Sequence, residues 1–326
     1  MTATASTQKT PLKKRMRSIT SRYGIVFVLI IMVIACSFAS PVFMTKTNLL
    51  NVLRQVCVYS LIACAEGVLI ISGNIDLAAG STVCACGIAA IPVYVATGST
   101  PIALIFAIAF GVALNAISGF FIAFLKVPAF ITTLAMQMAV RGAVKVYTGG
   151  VVVTQTGENF TLMGQGYLFG VPIPVYVMLA ATLILWVVLD LTRFGRNLFA
   201  VGGNFEAARA SGINVDRYRF YSYLLSGAFI GLAGYMFASR VNSGIPTACT
   251  GYEGQGISAA VIGGVGMGGG TGSAWGVLVG AVIIGVISNI LNLLGVDSYM
   301  QEVINGAIIL VAVVLDLQTK KKRVGK

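Results

Sequence analysis

The chain has 326 residues, 57% of them hydrophobic and only 10% charged, with a mean hydropathy of +0.90. Soluble domains carry about 25% charged residues, so a soluble helical protein is excluded and a polytopic membrane protein remains. The net charge of +12 gathers at the flanks of apolar runs, at Lys13, Lys14, Arg15, Arg17 and Arg22, within 193–219, and from Lys320 to Arg323. That distribution follows the positive-inside rule and argues against nucleic acid as a partner.

The pattern predicts an all-α membrane helix bundle of about ten spans with broken helices, since one span takes about 20 mostly apolar residues. A cytoplasmic tail over 1–22 leads into a membrane region over 23–316, and a basic cytoplasmic tail follows over 317–326. The first apolar run, Tyr23 to Ser40, follows basic residues like a signal peptide, and Val33-Ile34-Ala35-Cys36 loosely resembles a lipoprotein processing site. The many later spans favour a retained first helix. Spans are expected near 24–40, 52–72, 77–97, 102–125, 129–147, 174–191, 219–239, 256–270, 274–294 and 299–316. With the basic N-terminus inside, ten crossings also place Lys126, the 192–218 segment and the tail inside. Lys46 then lies outside and Arg54 near the outer edge, a mild violation of that rule, which an amphipathic interfacial helix near 45–54 would accommodate.

Two short inner connections lie in glycine-broken stretches, Ser72-Gly73-Asn74-Ile75-Asp76-Leu77 and Gly263 to Gly272. Each reads either as a break at membrane depth lining a cavity or as close helix packing of the kind Gly227/Gly231 and Gly276/Gly280 suggest. Asn74 and Asp76 tilt the first stretch toward a substrate pathway, although Asp76 also suits the N-cap of the next span. Glu66 lies inside a span, where a carboxylate is costly and marks a functional hypothesis. The readings open to it are contact with a hydroxylated substrate, a proton relay, or a carboxylate paired to a helix neighbour or lying near the cavity edge. Arg141 and Lys145 fall near an outer end, within snorkelling reach. The loop over 148–173 is the longest outer segment and is polar without being basic.

The 192–219 segment concentrates charge in a chain built for lipid: Arg193, Arg196, Glu206, Arg209, Asp216, Arg217 and Arg219. Asn204 is a candidate N-cap, Glu206 falls in the first turn where the helix dipole favours an anion, and Gly212 suits the stop. Ala207 and Ala208 would leave a flat surface for a partner's groove. The same residues also fit a solvated connector. No G-x-x-x-x-G-K-[ST] motif is present, so any ATPase is expected on another polypeptide. The absence of histidine removes the commonest metal ligand and general base, and neither a cofactor nor a metal is expected. The six cysteines form no C-x-x-C pair and read as small hydrophobes.

Several blocks, in order, resemble the membrane permease subunits of ribose- and galactoside-type sugar ABC importers. They include Ile75-Asp76-Leu77 with Gly80-Ser81, Val127-Pro128-Ala129-Phe130-Ile131, Arg141-Gly142, Ala200-Val201-Gly202-Gly203-Asn204, Ser211-Gly212-Ile213-Asn214-Val215, Gly251-Tyr252-Glu253 and Asn292-Leu293-Leu294-Gly295-Val296. The likeness runs from about residue 47 to 316. It implies a two-permease channel working by alternating access, a cytoplasmic ATPase subunit and an extracytoplasmic sugar-binding protein. It also implies that Glu206, Ala207, Ala208, Arg209 and Gly212 form a coupling helix on the ATPase. Glu66 and Asn74 depart from the resemblance, which usually has an uncharged residue and glycine there. An ion-coupled secondary transporter using Glu66 is the competing expectation, and a membrane enzyme a distant third.

Overall fold

The computed structural model describes residues 12–154 and 158–324, and within them the apolar runs fold as helices. The first eleven residues of the expected N-terminal tail, positions 155–157 of the long loop and the last two residues of the basic tail lie outside the described residues. The helices are α1 (Leu12–Ala39), α2 (Lys46–Ile71), α3 (Ala79–Thr97), α4 (Thr100–Ala123), α5 (Ala129–Thr148), α6 (Glu158–Gln165) and α7 (Ile173–Trp186), the last extended by a π turn over Val187–Leu191. After them come α8 (Arg193–Gly203), α9 (Phe205–Ala210), α10 (Val215–Val241), α11 (Tyr252–Ile262), α12 (Ala274–Leu293) and α13 (Ser298–Val324). Two antiparallel two-residue ladders pair Val153–Thr154 with Ser243–Gly244 and Tyr167–Leu168 with Val171–Pro172.

Six helices among the described residues are long and apolar enough to cross a membrane: α2, α3, α4, α7 with its π turn, α10 and α12. Helix also occupies the other four expected places. By length and composition, however, α5 carries Gln137, Arg141 and Lys145, α11 has 11 residues, and the apolar part of α1 is short. The all-α membrane bundle stands; six helices among the described residues meet these grounds, which do not by themselves establish a count of ten.

A helix that is apolar on every side is buried, and α2 is that helix. It is enclosed from Val56 to Ile71, with α7, α10, α11 and α12 packed around it. Asn48 on α2 and Asn289 on α12 exchange two side-chain hydrogen bonds of 3.0 and 2.8 Å, pinning these helices at one end of the bundle. The most extensive pairing is α4 with α10, and small residues make it possible. A Cβ on Gly111 would lie 2.8 Å from Gly231 Cα, and one on Gly227 would lie 2.8 Å from Val112 Cα. The backbones of α11 and α12 touch in the same way, at Gly263 against Gly276 and Gly280 against Ala259.

Three expectations change. The stretch 45–54 is not a separate interfacial helix but the first turns of α2, because Thr45 caps the helix and no breaker follows. Arg54 is held there by the Gln165 carbonyl at 2.9 Å and lies 4.8 Å from the Tyr167 ring centroid. The expected span over 256–270 is a half-helix. Its 11 residues rise about 16 Å, roughly half of the ~30 Å hydrocarbon core. The helix starts late because 242–251 runs as non-helical chain, and it stops at Gly263 and Gly264. Arg141, finally, does not snorkel outward. It donates to the Pro246 and Ala248 carbonyls at 3.1 and 2.6 Å and so fastens that non-helical chain to α5.

Candidate functional site

The link between α2 and α3 is a buried polar centre. Glu66 and Asp76 are both 0% exposed and Asn74 is 2% exposed. Asp76 Oδ1 accepts the Ala78 N–H at 2.8 Å, which caps the turn into α3, and its Oδ2 accepts Asn115 Nδ2 of α4 at 3.2 Å. Asn115 stands eight residues before the end of α4, about 12 Å along the helix. The link therefore sits inside the bundle and not on its surface. Glu66 Oε2 accepts the Asp76 N–H at 3.3 Å, whereas Glu66 Oε1 is buried without a hydrogen-bond partner among the described residues. Tyr223 of α10 donates to the Ile75 carbonyl at 2.9 Å, and Ser72 meets Ser222 at 3.2 Å.

The charged segment lies next to this centre. Asn204 Oδ1 accepts the Ala207 N–H at 3.0 Å, so it is the N-cap of α9, and Gly212 has φ +80°, the left-handed turn that glycine takes without strain. Glu206, Ala207 and Arg209 are exposed, and a 3.5 Å ion pair joins Glu206 to Arg209. Ala208 differs from the expectation. It is 4% exposed and packs with Val201 and Val215, so it seats α9 on the bundle. Two neighbouring positions on one helical turn point opposite ways, and periodicity over six residues is too short to tell which side is which.

From α9 the contact runs inward through Phe205 and Arg219. The Phe205 ring lies against Gly73, where a Cβ would fall 2.7 Å from Phe205 Cζ, and the Arg219 guanidinium lies 5.1 Å from the ring centroid. Arg219 then donates to Asn74 Oδ1 from Nε at 3.2 Å and from Nη2 at 2.7 Å. Beside it the glycine-rich run 263–273 passes under the end of α2. Gly270 N donates to the Ile71 carbonyl at 2.9 Å, and a Cβ on Gly270 would fall 2.6 Å from Gly203 Cα of α8. Close backbone packing describes that run, since it lies at the α9 end against α8.

A second polar group forms where α11 begins inside the bundle. Glu253, in its first turn, accepts Gln137 Nε2 of α5 on Oε1 at 3.1 Å, and its Oε2 is buried without a partner among the described residues. Gly80 of α3 leaves the room, because a Cβ there would overlap Glu253 Oε2 and the Cys249 carbonyl. The ion pairs among the described residues are Lys126 with Asp216 and Arg209 with Glu206, so Glu66, Asp76 and Glu253 have no bridging cation there. At the end opposite α9, a cleft of about 540 Å³ is lined by Asn51, Arg54, Gln55, Gln165, Tyr167 and Arg240.

Of the expected residues, Glu66, Asn74 and Asp76 thus meet in one centre, and Glu206, Ala207, Arg209 and Gly212 on one exposed turn. Sequence reasoning missed the roles of Arg219, Phe205, Asn115, Gln137 and Glu253. Glu253 stands three residues ahead of the span expected from 256, in a stretch broken by glycine and polar residues, so it carried no signal like that of Glu66 inside its span.

The family described as branched-chain amino acid transport system, permease component, matches residues 48–313. The ribose import permease protein RbsC of Escherichia coli strain K12 is 39% identical over 292 residues, covering 88% of this chain and 91% of the relative. Its counterpart from Bacillus subtilis strain 168 is 41% identical over 291 residues, covering 88% and 90%. The L-arabinose transport system permease protein AraH of Escherichia coli strain K12 is 36% identical over 302 residues, covering 93% and 92%. No solved structure matches the chain.

Proposed function

This chain belongs to the permease-component family of branched-chain amino acid transport systems, and from that premise we propose that it is the membrane subunit of an ATP-driven importer for a simple sugar. The relatives that transport ribose and arabinose support the substrate class. They do not favour the ion-coupled alternative built on Glu66. The chain is a transport subunit, and with no phosphate loop of its own it relies on a separate ATPase.

The observation that carries the reading is the exposed turn Glu206–Gly212, capped at both ends and joined through Phe205 and Arg219 to the buried α2–α3 link. A short polar helix that touches the interior on one side and water on the other is suited to pass a partner's movement inward. In this proposal Glu206, Ala207, Arg209 and Gly212 meet the ATPase on the cytoplasmic side, with Ala208 seating the helix. Glu66, Asn74 and Asp76 form the inner wall of the substrate pathway. The opposite end, with its polar cleft, faces an extracytoplasmic sugar-binding protein. A second permease subunit, identical or paralogous, completes the channel, which works by alternating access. The exposed apolar faces of α4 and α7 meet lipid or that subunit.

The finer topology is part of the same proposal: about ten crossings of a bacterial inner membrane, a tail over 1–22, a permease region over 23–316, a basic tail over 317–326, and both termini in the cytoplasm. Reconstitution tests it. Proteoliposomes holding the permease, its ATPase and its binding protein should take up sugar only with ATP. Uptake by the permease alone on an ion gradient overturns the proposal.

A further inference from the structure

We infer that the hairpin over Tyr167–Pro172 is a membrane anchor, with Phe169 as the side chain that enters the lipid at the end opposite α9. The inference goes beyond the sugar-importer reading and needs only that α7 crosses the bilayer. With its π turn, α7 has 19 residues and rises about 28 Å, close to the ~30 Å of the hydrocarbon core. Its first residue, Ile173, therefore lies at the edge of the hydrocarbon, and the hairpin stands at that level. Tyr167–Leu168 pairs with Val171–Pro172, and the Ile173 N–H donates to the Gly166 carbonyl at 3.0 Å. Tyr176, in the first turn of α7, donates its hydroxyl to the Leu168 carbonyl at 3.1 Å.

The tip of the hairpin is ill suited to water. Phe169 is 92% exposed with φ +50°, and Gly170 after it has φ +79°. A two-residue turn with both φ positive favours Asn-Gly, and a phenylalanine held there is strained. In water the ring would be strained and bare at once. Leu168 and Val171 beside it are exposed as well, and no charged residue stands between Glu158 and Asp190. The apolar, largely uncovered surface of α7 thus runs on into the hairpin. The root is polar instead: Tyr167 lines the cleft of about 540 Å³ with the Arg54 guanidinium 4.8 Å from its ring centroid, and Pro172 is buried. Tyrosines at headgroup level with apolar side chains beside them are the pattern of a membrane interface. Because Tyr167 belongs to both hairpin and cleft, the anchor sets the height of the cleft's rim above the lipid.

The test places a nitroxide label on the full-length chain, reconstituted with its unlabelled partners in phosphatidylcholine vesicles. All six native cysteines are buried, so Phe169→Cys supplies an exposed thiol. Leu179→Cys, on the exposed face of α7, is the lipid reference, and free label in buffer is the water reference. Collision with oxygen, which concentrates in lipid, is compared with collision with a water-soluble nickel chelate. The oxygen-to-nickel ratio at position 169 should approach that at 179 and exceed that of the free label several-fold. A ratio like the free label's overturns the inference. So does a label at 169 shielded from both probes, which reports a protein neighbour and not lipid. A watery ratio at 179 overturns the crossing of α7 and the anchor together. Should labelled Phe169→Cys fail to reconstitute, Phe169→Trp in a Trp186→Phe, Trp275→Phe background must lose most of its fluorescence to brominated lipid, and unquenched emission overturns the anchor likewise.

Discussion

Arg219 grips Asn74 with two donors, Nε at 3.2 Å and Nη2 at 2.7 Å, across 145 residues of sequence. This bond joins the foot of α10 to the buried link between α2 and α3. Asn74 is enclosed and also donates to Ser72 Oγ at 2.9 Å, so its amide has no other acceptor to offer and no freedom to turn away. Any displacement of the α9 turn that moves Arg219 therefore reaches the link holding Asp76.

If that contact carries movement, the two residues act as one unit. Arg219→Gln and Asn74→Ala should each lower ATP-driven uptake several-fold, and the double variant should be no worse than either. Partners in contact are non-additive in this sense. Additive losses in the proteoliposome assay would show that the two residues act independently.

The exposed turn and its buried neighbour make opposite predictions. Glu206→Lys and Ala207→Asp should leave the protein folded in the membrane while abolishing co-purification with the ATPase, because both side chains point outward. Ala208→Asp places a carboxylate against Val201 and Val215 and should lower the thermal midpoint in detergent, as burying an unpaired charge does. Normal uptake by Glu206→Lys would count against docking at this turn.

Glu66→Gln keeps the shape and the acceptor for the Asp76 N–H but adds donors where the buried Oε1 has no partner. Uptake rate, or the relative rate among sugars, should change about threefold or more, the scale of one altered buried hydrogen bond. Unchanged kinetics would make Glu66 a purely structural part of the wall.

The pairing of α4 with α10 depends on absent side chains. Gly227→Val drives new carbon into Val112 Cα and Asn115 Cβ, which a Cβ alone would approach to 2.8 and 2.9 Å. Overpacking of this kind costs about 1–3 kcal/mol, and the variant should unfold at lower temperature in a detergent melt. A melt like the wild type's would show that the two helices separate without cost.

Much of the local structure was legible. Composition named the membrane class, and nine of the ten expected spans have a helix along their length, because apolar length is a property of neighbouring residues. The cap at Asn204 and the stop at Gly212 were legible for the same reason, since both act within one turn. The half-helix α11 was not. The chain ahead of it is held by Arg141, whose carbonyl partners lie 105 and 107 residues away.

The sequence by itself therefore determined an all-α membrane protein with a capped polar turn and no ATPase motif. Tertiary structure alone decided that Ala208 faces inward, that Arg219 meets Asn74, and that Glu66 is sealed while Glu253 stays half-open. The physical reason is the range of the forces involved. Hydrophobic length, capping and turn chemistry act over a few residues and can be read along the chain. Burial and hydrogen-bond pairing of a polar side chain depend on which distant helix packs against it.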